Sequence, residues 1–239
     1  ASAGKDLDVA YWRVTAAGVQ TLGDTWDYVP DKVIDEPHSF SEFAMDVVVK
    51  GDVAWVVGAS NGNHEEGKPS KTRGILVPMD LHTGEVIGSV IVEAESAPQT
   101  VFFGAGSHPD GVLVTGYGCD DACTYYQIET ALYGPTGVRL WHMPDAPGDG
   151  LRYGSDVALD SQGRVLVAGA VTEKGALRGY VFARPVGSES PLPLFDRWFP
   201  ASAPSEALGV LVDTYDRIFP VGYITANGSI QARLEWIHG

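Results

Sequence analysis

The chain is short of basic residues, of sulfur and of long apolar runs, and each shortage excludes something. Sixteen Lys and Arg stand against 31 Asp and Glu among 239 residues, a formal net charge of −15. A surface of that sign repels a nucleic-acid backbone or an anionic membrane as main partner, and leaves cations or a basic partner in play. It also keeps a protein soluble, which needs no partner at all. No stretch approaches the roughly 18 consecutive apolar residues of a membrane helix, so no insertion by a helix is expected. The opening residues Ala1, Ser2, Ala3, Gly4, Lys5 and Asp6 lack an apolar signal core. They fit the trimmed end of a secretory or lipoprotein precursor and equally a cloning boundary. No segment carries apolar residues at helical spacing over about ten positions, so very little helix is expected.

There are two cysteines, Cys119 and Cys123, within Gly-Cys-Asp-Asp-Ala-Cys-Thr. A pair this close in a turn-rich loop predicts a small disulfide-closed loop and an oxidising setting: extracellular, cell-surface or periplasmic. A zinc site would need two further ligands, and no second Cys or His pair has suitable spacing.

Glycine is abundant. The 29 glycines and 15 prolines are spread along the chain, which signals many turns rather than disorder, and 44% hydrophobic residues suit a packed core. A single domain over residues 1–239 is expected. Four segments share one layout of apolar strand, tight polar turn and second apolar strand ending in glycine: 45–60, 103–118, 155–171 and 208–224. Their closing glycines, Gly58, Gly116, Gly169 and Gly222, recur about every 53 residues. The turns, Lys50-Gly51-Asp52, Asp110-Gly111, Ser161-Gln162-Gly163 and Asp213-Thr214-Tyr215-Asp216, carry residues that tolerate positive φ or bond to their own backbone, so each segment reads as a β-hairpin. The closing glycines are expected where neighbouring backbones approach closely.

A second strand pair comes after each hairpin, over 74–92, 127–142 and 179–198, turning at Thr83-Gly84, Thr136-Gly137 and around Gly187. Residues 8–26 have the same form, turning at Ala17-Gly18. Four strands per unit, repeated, is the layout of β-propeller blades, and a β-sandwich would not show so regular a period. The expected fold is therefore all-β, a propeller of four-stranded antiparallel blades with about four to five blades visible. In this register the chain starts with third and fourth strands and ends with a first, second and third. Residues 19–26 would then supply the missing outer strand of the last blade, leaving 8–15 as a fifth strand, or else the ring is larger and is completed by further sequence, an oligomer or a partner chain.

The run SDVALDSQGRVLVAGAV and, after it, GYVFARPVG resemble the β-propeller repeats of secreted bacterial proteins: a strand, an Asp/Gly turn, Val-x-Val-x-Gly, then an aromatic-rich strand with Arg before the next turn. The resemblance covers residues 45–239 as four units and is best at 155–187. The second unit departs from it at Phe103-Gly104-Ala105-Gly106. The third strand of the first unit ends Met79-Asp80-Leu81-His82-Thr83-Gly84, without the aromatic and Arg. The resemblance implies the fold and a secreted or surface setting, and brings no catalytic residues with it.

Gly58-Ala59-Ser60-Asn61-Gly62 matches the Gly-x-Ser-x-Gly pattern of a nucleophile elbow, but that motif needs a strand running into a helix. The next residues, Asn63 to Pro69, read instead as a polar loop. His64-Glu65-Glu66 lacks a second histidine at helical spacing and reads as a solvated loop. Asn227-Gly228-Ser229 is a sequon, already accounted for as a turn. The six tryptophans lie mostly within expected strands and read as blade packing.

The placement of acids carries what functional content there is. Loops joining second to third strands share one face of a propeller with the connectors between blades, here 24–44, 60–73, 93–100, 118–124, 143–152, 171–178 and 200–206. These segments hold 16 of the 31 acids and 7 of the 16 basic residues. Clustered carboxylates attract hard cations such as calcium and steer basic groups. Asp120 and Asp121 in the cysteine loop, the only residues singled out for a metal, lead the candidates, with Asp145 and Asp149 around Pro147-Gly148 and the loop residues His64, Glu65 and Glu66 on the same face. The leading expectation is a non-enzymatic extracellular module binding a protein or glycan through this acidic face. A carbohydrate-active hydrolase or lyase using paired carboxylates at the axis and a structural subunit of a surface assembly are the alternatives.

Overall fold

The computed structural model describes residues 9–14, 20–26, 41–62, 71–93, 97–145, 148–187, 195–199 and 204–237. Among the described residues all regular structure is β and none is helical. A first hairpin pairs β1 (Val9–Val14) with β2 (Gln20–Trp26). Four antiparallel sheets come next, each running outward in chain order. Blade 1 is β3 (Ser41–Lys50), β4 (Val53–Gly62), β5 (Lys71–Asp80) and β6 (Ile91–Val92). Blade 2 is β7 (Gln99–His108), β8 (Gly111–Cys119), β9 (Tyr125–Tyr133) and β10 (Arg139–His142), with β11 (Gly148–Asp149) on the other end of β9. Blade 3 is β12 (Arg152–Leu159), β13 (Arg164–Glu173), β14 (Ala176–Pro185) and β15 (Phe195–Trp198). Blade 4 is β16 (Ser205–Val212), β17 (Ile218–Ala226) and β18 (Ser229–Leu234).

The inner strands β3, β7, β12 and β16 pack one against the next, so consecutive sheets stack face to face as the blades of a propeller do. The core lies between blades. Trp55, Val57, Leu76, Phe102, Val112 and Tyr133 fill the space between blades 1 and 2. Leu113, Ile128, Val157, Val167 and Phe182 do so between 2 and 3, and Leu166, Val181, Phe199, Val210 and Ile218 between 3 and 4. Period-two alternation puts successive residues of a strand on opposite faces, so both faces of an interior blade are apolar.

The closing glycines sit opposite a β-bulge in every blade, with register shifts at Ala44/Asp46, Phe102/Gly104, Gly154/Asp156 and Ala207/Gly209. The extra residue drives a carbonyl of the inner strand toward the second strand. A Cβ at Gly58, Gly116, Gly169 or Gly222 would lie 1.7, 1.8, 2.0 or 1.9 Å from the carbonyl oxygen of Phe43, Val101, Tyr153 or Glu206. Only glycine fits there, which is why the spacing was visible in the sequence. Among the described residues the hairpin turns also fall where expected, and Gly84, Gly137 and Gly187 adopt φ of 77°, 80° and 77°; the turn expected at Ala17-Gly18 lies outside those residues.

Of the two closures expected, the described residues do not show the one through the terminal strands, although the expected hairpin within 8–26 is present. Strand β2 pairs with β1, its neighbour in the chain, not with β18, and β1 rests against β3. Among the described residues blade 4 has three strands. Among the described residues the inner strands of blades 1 and 4 do not pack together as consecutive ones do, so the four described blades form an open arc.

Candidate binding face

The acids of the loop face whose side chains are described, seven of the 16, are engaged within the chain. Asp120 accepts the amides of Thr124 at 2.6 Å and Tyr125 at 3.3 Å, which pins the loop closed by the Cys119–Cys123 disulfide. Asp121 pairs with Lys71 at 2.7 Å and so ties this loop to blade 1. Asp145 takes Arg184 at 2.9 Å and Arg152 at 3.5 Å, both partly or fully buried. The backbone of Asp149 pairs with Tyr125 in β11; its side chain, and all of His64, Glu65 and Glu66, lie outside the described residues. Glu173 pairs with Arg178 at 2.6 Å, and buried Glu42 accepts the Ser60 hydroxyl at 2.9 Å. Ser60 lies inside strand β4, not on a strand-to-helix turn. Among the described residues no group of three or more His, Cys, Asp or Glu side chains is placed to hold a metal ion.

Two aspartates of the inner strands are also engaged within the chain. Asp46 accepts the Ala105 amide and Asp156 the Val210 amide, each at 2.8 Å and each from the following blade. Each also caps the amide of its own successor in the chain, Val47 at 2.7 Å and Val157 at 2.8 Å. Burial pushes the Asp156 carboxyl above the ordinary carboxylate range, the two amides pull it back, and the Asp46 charge pushes it up.

Two buried carboxylates do not stand out in the sequence. Glu93 accepts Arg139 at 3.0 Å on both oxygens and the Tyr133 hydroxyl. Together with Ile91, Val92, Gly137 and Val138 these residues line a recess of about 410 Å³ between blades 1 and 2. Glu129, also buried, holds His142 and Gln127, the latter at 2.6 Å. Desolvation raises the Tyr133 hydroxyl well above the tyrosine range, and the Glu93 charge and hydrogen bond act in the same direction.

The loop ends of the strands build a continuous aromatic strip. Tyr126 of β9 meets Tyr117 of β8 with ring centres 5.6 Å apart, and Tyr117 meets Phe103, the bulge residue of β7, at 5.7 Å. Phe103 in turn meets Tyr153 of β12 edge-on at 5.6 Å. The Tyr153 hydroxyl donates to Glu206 of β16 at 2.7 Å, and the Tyr223 hydroxyl of β17 donates to the other oxygen of the same carboxylate. Five aromatic side chains from three blades thus form one half-buried band beside the disulfide loop. Edge-on rings at these spacings are favourable pairs, and tyrosine offers an apolar body with a polar tip. The hydrogen bond to Glu206, with burial, pushes the Tyr223 hydroxyl up to about 12. Tyr153 is raised further, by burial first and then by the same carboxylate.

No repeat spacing announces this strip, because its members come from three units. The one local signal is the residue after the closing glycine, Tyr117 after Gly116 and Tyr223 after Gly222.

No protein-family model matches this chain, and no curated protein matches it. Among solved structures it is similar to the β-propeller domain of the Trilobed protease from Pyrococcus furiosus, described as having an open velcro topology. The identity is 13% and the TM-score 0.43, over 82% of this chain and 58% of that one.

Proposed function

We propose that this chain is a non-catalytic binding module, exported to an oxidising compartment, that takes a protein or glycan partner on its loop face. The observation that carries the reading is the half-buried tyrosine strip of blades 2 to 4. Tyrosine-rich surfaces supply large, rigid contact area with phenolic hydroxyls at the rim, and cost little conformational entropy on binding. The described carboxylates around the strip are committed to cations, amides or hydroxyls of the chain itself, and we read their role as holding the surface in shape. The disulfide supports the export.

The test is calorimetric titration of the chain with a panel of oligosaccharides and of Lys/Arg-rich peptides. Saturable binding to one panel is expected, weakened at least tenfold by Tyr117→Ala or Tyr126→Ala. Tyr215→Ala, on an exposed turn at the opposite strand ends, is expected to leave it unchanged. Binding indifferent to the strip variants would sink the reading.

A further inference from the structure

The ends of the four-blade arc are unlike its interior. On each third strand, the position one past the partner of the closing glycine faces the following blade, and it is buried wherever a following blade exists: Leu76 and Val181 are 0% exposed and Thr130 4%. Their counterpart in blade 4, Leu234, is 67% exposed, with Ile230 on the same face at 75% and Leu211 of the inner strand at 65%. Blade 1 shows the converse. Val157 and Val210, which face the preceding blade, are 3% and 2% exposed, whereas Val47 at the same register is 54% exposed, and so is Val49. Among the described residues this face is thus open along the inner strand, while Ile75, Val77 and Met79 farther out on it are already buried.

The two open faces match in kind, because the joints between blades alternate. The residue after each inner-strand bulge is Asp46, Gly104, Asp156 and Gly209 in turn. At the joints from blade 1 to 2 and from 3 to 4, the aspartate accepts the next blade's amide. At those joints Thr100 and Ser205 also accept the amides of Gly74 and Gly179, at 2.8 and 2.9 Å. At the joint from 2 to 3 no carboxylate of the inner strand accepts an amide among the described residues: a Cβ at Gly104 would stand 2.6 Å from the Asp156 Cα, and the joint is closed by glycine, by apolar packing and by the Asp145–Arg184 ion pair. Blade 4 presents Gly209 and exposed leucines and calls for the kind of blade that 3 is to 2. Blade 1 is of that kind, with Val47, Val49, Val56 and Val77 standing where blade 3 has Val157, Leu159, Val167 and Phe182.

We propose that two copies of this chain close head to tail, blade 4 of each packing on blade 1 of the other, so that two arcs complete one ring of about eight blades. Each new joint continues the apolar contact already made between blades 2 and 3. A heterologous contact of this type forms closed rings when its rotation closes, and it covers both apolar ends at once.

Sedimentation and native mass spectrometry of the full chain at about 10 µM test this, in roughly 0.15–0.5 M salt to screen the like charge of the copies. A species of twice 25.5 kDa is expected. Val47→Glu and Leu234→Glu change exposed positions and leave the monomer folded, which its circular dichroism checks. Each variant alone is expected to shift the chain to monomer, and an equimolar mixture to recover a dimer, since one of its two joints is then unaltered on both sides. A wild-type chain that stays monomeric throughout would overturn the proposal, pointing to closure within one chain or to cover by another protein. So would a dimer abolished by Leu234→Glu but untouched by Val47→Glu, because that pairs blade 4 with blade 4.

Discussion

At the scale of single residues, short acids do structural work that their number alone would not suggest. Asp160 and Asp213 each accept the amides two and four residues on, and each holds the Arg four residues later, Arg164 or Arg217. Between them Asp216 reaches from blade 4 to blade 3, taking the Ser161 amide at 2.9 Å and its hydroxyl at 2.5 Å. The hydroxyl, then the amide, hold the Asp216 carboxyl below the ordinary range. A carboxyl depressed on folding contributes stability that is present above its unfolded value, about 3.9, and is lost as pH falls through its folded one. Ser161→Ala is therefore expected to move the Asp216 titration upward toward the ordinary value, read by carbon-detected NMR of the side-chain carboxyl. An unchanged titration would mean that the hydroxyl is not its main partner.

At the scale of the element, the repeating unit is a bulge facing a glycine. Gly116→Ala would drive a methyl group into the Val101 carbonyl at 1.8 Å, and a loss of about 3 kcal/mol is expected in urea unfolding. Gly163→Asn provides the contrast. Its φ of 75° lies in the left-handed region with open space around it, and Asp216 occupies the matching turn position of blade 4 at φ 57°. That substitution should cost less than about 1 kcal/mol. These two glycine roles explain why hairpins, turns and blade count were legible from sequence: both are local and recur at fixed spacing. The fate of the acids was not legible in the same way. Asp145 meets Arg184, and Asp121 meets Lys71, only after separate units have stacked. The tyrosine strip is illegible in the sequence for the same reason. The way the ring closes was not legible either, because which edge β2 joins depends on how distant units stack.

At the scale of the whole molecule, blades are joined by interactions of unlike pH range. Tyr153 and Tyr223 share Glu206 across blades 3 and 4, and both hydroxyls are raised on folding. A raised tyrosine contributes stability that is complete below its unfolded value, about 10, and is lost as pH rises through the folded one, here about 12 for Tyr223. Alkaline unfolding followed by tyrosinate absorbance near 295 nm should thus lag in the native chain and start earlier in Glu206→Gln. Identical profiles would show that the carboxylate does not hold the hydroxyls. The alternation of Asp46, Gly104, Asp156 and Gly209 has a consequence for how such a chain can change its length. A junction of blade 1 directly onto blade 4 would bring an aspartate to an even-numbered partner, as the present joints do, so blades 2 and 3 can be removed together. Removing either alone would set two blades of one kind side by side. The quantum in which this architecture grows or shrinks is two blades, about 105 residues, from Gly104 to Gly209.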